Sequence, residues 1–402
     1  MAILATSLLA FTTLVTSAVG GDERDTVHMK SGSPIKGRVL LELPDRVAVL
    51  VGSRERWVER DKIERIDSVA AHQRELIRQL RGVTRDDAEQ QLALAKFCDE
   101  HQLEYEAALL RWSILANDPQ NDAANEALGH KRSAKGWLVR ADRGFRPLDR
   151  LEKTRADWSK AWRLRSEHFE LRCDRGLRTT VDLLLELECF YDGFFDLFQQ
   201  DLQLRHLTEP VQVYVYGDRE QFPSMSNNVG AFFSLAENIL YTYVAQNGRP
   251  YALYHEATHA LLHNLVRNSR RSRGGLPAWL DEGWAEFMQA VVVPGRAGRA
   301  SVDEYNVLDG HLRTIGDAEK PYTLHRVLNF KLTDFQASSK QQLKYAQSYA
   351  LFLYMRNGAS GSLRGKFYEY VQSAMSGKGQ ASTFRRMFKR ELNDIERAYA
   401  QQ

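Results

Sequence analysis

The 402-residue sequence predicts a multidomain α+β chain: a small β-barrel, a short helical hairpin segment, and a larger domain whose mixed sheet is followed by a helical subdomain. Three observations carry that prediction. Apolar residues alternate with period two from Thr26 to Ile66, fall at helical intervals across residues 70–130, and from Leu151 onward form strand-like segments first and helical ones after. The resulting divisions are 1–20, 21–68, 69–148 and 149–402, a plan the length readily accommodates.

Met1 to Gly20 contains no charged side chain and reads as an apolar, hydroxyl-rich run ending in Ala18-Val19-Gly20, small residues at the spacing a signal peptidase needs. Polar sequence begins at once with Gly21-Asp22-Glu23-Arg24. Residues 1–20 are therefore expected to be a signal peptide or an uncleaved N-terminal anchor, which makes the protein exported: periplasmic, secreted or anchored in the cell envelope. Contact with a membrane is expected only through that segment.

Residues 21–68 hold short strands built on Val27 and Met29; Ile35, Gly37, Val39 and Leu41; Val47, Val49 and Val51; Trp57-Val58; and Ile63 with Ile66. Turn chemistry at Ser31-Gly32-Ser33-Pro34, Pro44-Asp45 and Gly52-Ser53 separates them, which suits an antiparallel barrel of SH3-like or Sm-like type acting as a spacer or packing module. In 69–148, Leu92, Ala95, Leu103, Ala107, Leu110, Leu115, Ala124 and Leu128 mark helices, broken at Asp118-Pro119-Gln120-Asn121. This segment resembles one or two tetratricopeptide-type hairpins, and a protein partner could dock on it. Gly136-Trp137 and the basic stretch through Arg150 read as a linker with Trp137 as an anchor.

The last domain begins with a strand at Glu167–Cys173, a helix at Leu177–Gln200 and a strand at Val211–Tyr216. Two more strands, Val229–Leu235 and Ile239–Val244, flank a turn at Ala236-Glu237-Asn238, and everything substantial after Tyr251 is helical. Composition narrows the function classes. Lys plus Arg number 55 against 52 Asp plus Glu, a formal charge of +3 that is too small for a nucleic-acid partner. The three cysteines, Cys98, Cys173 and Cys189, form neither a disulfide framework nor a Cys-x-x-Cys site; Cys173 and Cys189 could pair in an exported chain, but buried thiols are the favoured reading. A Gly-x-Ser-x-Gly elbow and a phosphate-binding glycine loop are both absent.

Chemistry concentrates in His255-Glu256-Ala257-Thr258-His259. Histidines four apart stand one helical turn apart on one face, where two imidazoles can approach one cation, and Glu256 projects beside that face. Zinc needs a third protein ligand and an open position. Glu282 offers the ligand after 22 intervening residues, on a helix opened by Pro277 after the Gly274-Gly275 break. Glu286 lies one turn further on and is placed to accept the outer N–H of a ligand histidine. His263, His311 and His325 are left out as isolated histidines, and the arginines at 267, 270, 271 and 273 read as a solvated loop.

His255-Glu256-x-x-His259 with Asn264-Leu265-Val266 resembles the zinc helix of the gluzincin metallopeptidases of aminopeptidase N type, and Trp279-Leu280-Asp281-Glu282-Gly283-Trp284-Ala285 is similar to their third-ligand helix. The 282/286 acid spacing is also that of thermolysin-type enzymes. The order of barrel, tetratricopeptide-like segment and zincin-like domain resembles an uncharacterised family of exported bacterial proteins. The resemblance implies one more residue: Tyr345, in Tyr345-Ala346-Gln347-Ser348, stands where those families carry a tyrosine that stabilises the oxyanion, with serine in place of their glycine. Their amine-binding Gly-Ala-Met-Glu-Asn motif is not matched.

The expected function is hydrolysis of peptide bonds in a peptide or protein substrate. One Zn²⁺ would be held by His255, His259 and Glu282, with Glu256 as general base to a metal-activated water and Tyr345 at the oxyanion. The strand at Ile239–Val244 is expected to pair with an extended peptide. The alternative is a catalytically inactive gluzincin-fold binding or scaffold protein of the cell envelope.

Overall fold

The computed structural model describes residues 24–223, 230–244, 252–267, 275–289, 291–292, 301–302, 304–336, 339–357 and 361–400. The expectations for residues 1–20 and for Arg270, Arg271 and Arg273 lie outside the described residues. The chain divides into two compact units, Met1–Ala70 and Ala71–Gln402. Among the described residues no helix is long and apolar enough to cross a membrane.

The first unit is an antiparallel meander of β1 (Asp25–Met29), β2 (Ile35–Glu42), β3 (Arg46–Val51), β4 (Arg54–Glu59) and β5 (Ile63–Asp67). Its strand order is β4-β3-β2-β1-β5. Alternation sends Val27, Ile35, Val39, Val47, Val49, Val58 and Ile63 to one side, where they form the core. Buried Asp25 ties the ends together by accepting from the Val39 N–H at 2.6 Å and the Val69 N–H at 2.7 Å. The expected barrel is corrected in one respect: β4 and β5 are edges that do not pair with each other among the described residues, so the sheet stays open.

The second unit takes in all but the first two residues of α1 (Val69–Leu80), then α2 (Ala88–Glu100), α3 (Glu104–Asn117) and α4 (Asp122–Ala127), of which α2 and α3 pack as a helical hairpin. Asp87 caps α2 through the Gln90 N–H, and Asn121 caps α4 through the Ala124 N–H. The stretch read as a linker is folded instead. It forms a small antiparallel sheet of β6 (Lys131–Ser133), β7 (Gly136–Arg140) and β8 (Phe145–Arg146), followed by α5 (Leu148–Arg155). Trp137 is the anchor expected of it, buried with its Nε1–H donating to Asp122 Oδ1 at 2.7 Å.

The main sheet comprises β9 (Trp162–Arg165) and β10 (Phe169–Cys173), then, after α6 (Leu177–Leu202), β11 (Val211–Tyr216), β12 (Ala231–Ser234) and β13 (Ile239–Tyr243). The order is β12-β13-β11-β10-β9, with β10, β11 and β13 parallel and both outer strands antiparallel. This is the expected mixed sheet. Phe169, Leu171, Val211, Val213 and Val215 are buried on alternate positions, and α6 packs on β9 and β10. On the other alternation Arg172, Tyr214, Tyr241 and Phe232 lie in register across four strands, and Trp158 stacks on Tyr216 at 3.8 Å.

Peptide pairing at Ile239–Val244 needs correction, because β13 is bonded on both sides; among the described residues the edges of this sheet are β12 and β9. Strand order depends on where the chain returns, and the short turn before β13 sends β12 outward.

The helical subdomain consists of α7 (Leu253–Arg267) and α8 (Ala278–Gln289), the two-residue strands β14 (Val291–Val292) and β15 (Ser301–Val302), and then α9 (Glu304–Gly316), α10 (Leu324–Val327), α11 (Leu332–Gln336), α12 (Gln341–Asn357), α13 (Gly361–Met375), α14 (Ala381–Met387) and α15 (Leu392–Ala400). α7 packs on β12, β13 and α8; α8 packs on α12; and α12 packs on α9. Trp284 has no exposed surface and stacks on Phe194 and Phe352, each at 5.7 Å. Gly283 sets the depth of α8, since a Cβ there would stand 2.4 Å from the Ser348 carbonyl oxygen on α12. The small pair Gly283 and Ser348 lets two backbones meet, which gives a packing reason for serine at 348.

Candidate metal centre

Two helices bring the predicted ligands together. Tyr254 seats α7 against α6: its ring stacks on Phe190 at 4.8 Å and its hydroxyl donates to Glu186. With that side of the helix fixed, His255 and His259, one turn apart, both aim Nε2 at α8. The two Nε2 atoms lie 3.2 Å apart, and each is 3.4 Å from Glu282 Oε2. His255 and Glu282 are buried and His259 is half-buried.

This arrangement has a physical meaning that does not depend on any family. Glu282 Oε2 is buried without a hydrogen-bond partner, and two imidazole nitrogens face it and each other. Converging lone pairs in a buried site require protons or a cation between them. Donors ~2.0–2.1 Å from one tetrahedral ion stand about 3.3–3.4 Å apart, the size of the triangle found here. His255, His259 and Glu282 are a group that could hold a metal ion.

The surrounding charges hold the site ready. Burial alone would push His255 down, but the Glu282 and Glu286 carboxylates outweigh it and hold the ring up at about 9. His259 is likewise raised against burial, by Asp281 and Glu282. Glu282 and Glu286 are each brought down to about 2, the pull of the facing imidazoles exceeding the cost of burial. Positive charge is thus strongly favoured between these groups, whether protons or a metal supply it.

Each histidine has an outer partner. Glu286 Oε1 lies 3.3 Å from His255 Nδ1, an ion-pair contact rather than an aligned hydrogen bond, which is the place expected of it. His259 Nδ1 meets Asp281 Oδ1 at 3.1 Å. Glu286 Oε2 in turn meets His311 Nε2 at 3.0 Å. Sequence reading missed Asp281 and set His311 aside. Asp281 had a findable signal, since its place next to Glu282 turns it toward the neighbouring histidine; His311, on α9, had none.

The two residues expected to do chemistry are also here. Glu256 Oε2 accepts the Phe233 N–H of edge strand β12 at 2.8 Å. Tyr345, on α12, has its ring 6.0 Å from that of His255. Its phenol is pushed far up by burial and by the charges of Glu282, Glu286 and Glu256, so it keeps its proton. Tyr349 is core, without exposed surface. The turn before β13 is fixed to α7 by a reciprocal amide pair: Asn238 Nδ2 donates to Asn264 Oδ1 at 3.1 Å, and Asn264 Nδ2 to Asn238 Oδ1 at 2.9 Å. Asn238 sits at φ 57°, which an Asn tolerates in a hairpin turn.

Residues 251–375 match a family described as a protein of unknown function (DUF1570). The matched segment contains every site side chain from His255 to Tyr345 but not the edge strand, and its description carries no activity. No curated protein matches the chain. The three cysteines are free; burial pushes Cys173 and Cys189 up to about 12, which leaves them inert as nucleophiles.

Proposed function

We propose that this protein is a zinc-dependent peptidase of the gluzincin type. The observation that carries the reading is the buried triangle of His255, His259 and Glu282 with a carboxylate, Glu256, and a protonated phenol, Tyr345, beside it. Two imidazoles and one carboxylate are a donor set that suits Zn²⁺ with one position open. Held there, Zn²⁺ would supply Lewis acidity, polarising a substrate carbonyl and making a water more acidic.

The chain's own groups do the rest. Glu256, steadied by the Phe233 N–H, takes the proton of the attacking water and returns it to the leaving amine. Tyr345 donates to the oxyanion that develops on the substrate carbonyl. β12, beside Glu256 and an edge of the sheet among the described residues, offers main-chain groups along which an extended peptide can lie. Residues 1–20 would place this activity outside the cytoplasm.

The test is metal analysis with hydrolysis of a generic protein substrate by the native chain, Glu256→Gln and His259→Ala. Glu256→Gln is expected to keep zinc and lose turnover by about 10²–10⁴-fold; His259→Ala loses both. A native chain that binds zinc but cleaves nothing beyond what the Gln variant cleaves makes this a scaffold protein instead.

A further inference from the structure

We propose that His311 is a positioning residue for the metal: acting through Glu286, it fixes the ring of His255 and so sets how tightly the three donors hold a divalent cation. The inference rests on the reading that those donors bind zinc. Glu286 is clamped between two imidazoles, Oε2 against His311 Nε2 at 3.0 Å and Oε1 against His255 Nδ1 at 3.3 Å. With Oε2 hydrogen-bonded, Oε1 in ion-pair contact and the side chain buried, the carboxylate is restrained from turning. Remove His311 and one oxygen is released, so the group facing His255 gains a rotor.

His311 is itself held. Its ring lies 4.6 Å from that of Tyr349, which has no exposed surface and belongs to α12, the helix that also carries Tyr345. Orientation therefore passes from α12 through His311 and Glu286 to His255. Outer partners of ligand histidines govern metal affinity because they hold the ring at the angle the ion needs, and their loss typically weakens binding by about 10–100-fold.

Two variants separate this role from packing. His311→Phe keeps an aromatic ring against Tyr349 and removes the donor; His311→Gln keeps an amide donor and removes the ring. Zinc affinity, measured on the full chain by competition with a chromophoric chelator, is expected to fall about 10–100-fold in His311→Phe and to stay near native in His311→Gln. In a Glu286→Gln background, His311→Phe should cost little more, because the path is already cut. Should His311→Phe fail to fold, His311→Leu carries the same expectation. Native affinity in His311→Phe with loss in His311→Gln, or full additivity with Glu286→Gln, overturns the proposal while the peptidase reading stands. A native chain that binds no zinc overturns both.

Discussion

The second unit contains two buried clusters of acids and histidines, and they are put together differently. At the candidate metal centre, three ligand atoms converge on one point. In the cluster between α3, α6 and the turn before β10, Glu188 and His168 answer each other, and of the Glu106 carboxyl only Oε2 is left without a partner among the described residues. Glu188 accepts from the His168 main-chain N–H and meets His168 Nδ1, both at 2.8 Å, and the His168 ring stacks on Tyr191 at 3.6 Å. Glu106 Oε1 accepts the Glu167 N–H at 2.9 Å, and burial, then the charges of Glu188 and Glu167, raise its carboxyl. Buried charge is common to both places. What differs is convergence: His255, His259 and Glu282 turn three ligand atoms toward one another, whereas His168 and Glu188 pair off, and that convergence, rather than residue type, marks a candidate ligand site.

The sharpest way to break the comparison is to remove one carboxylate from each cluster. Glu282→Ala is expected to abolish stoichiometric metal in equilibrium dialysis. Glu188→Ala should retain it and instead cost about 3 kcal/mol in urea unfolding, because two buried donors lose their acceptor. Tyr345→Phe is a smaller cut: zinc content unchanged, turnover down about 10²-fold, read from kcat on the same protein substrate.

The smallest effect tests the acidic cluster alone. Since Glu106 holds its proton more tightly folded than unfolded, its contribution is full below the ordinary carboxylate value and is lost as pH rises through its raised folded value. Glu106→Gln should therefore stabilise the chain at pH 8 relative to pH 5, on the order of 1 kcal/mol, with urea midpoints at the two pH values as the check. Equal midpoint shifts at both would show that the two clusters do not differ in this way.

What the sequence discloses follows from what is local. His255 and His259 are readable because a helix repeats every 3.6 residues, and Glu282 because its helix announces itself with Pro277 and two tryptophans. β1 to β5 are readable because one face is apolar and the turns are punctuated. The open edges of that sheet, the outward place of β12, and the approach of His311 to Glu286 are long-range facts. No spacing encodes them: His311 is 25 residues from its partner, on a helix whose own pattern gives no reason to single it out. The strands at Lys131–Ser133 and Phe145–Arg146 are hidden for another reason, being two or three residues long and mostly basic.

The reciprocal amides of Asn238 and Asn264 act as a rivet between an edge strand's hairpin and the helix that bears Glu256. Strand and helix then form one fixture, like the fence and blade of a saw, whose spacing is established when the chain folds. On the proposed function, a peptide laid along β12 would be indexed against Glu256 by the fence alone, and the alignment entropy of the encounter would be met during folding rather than at each turnover.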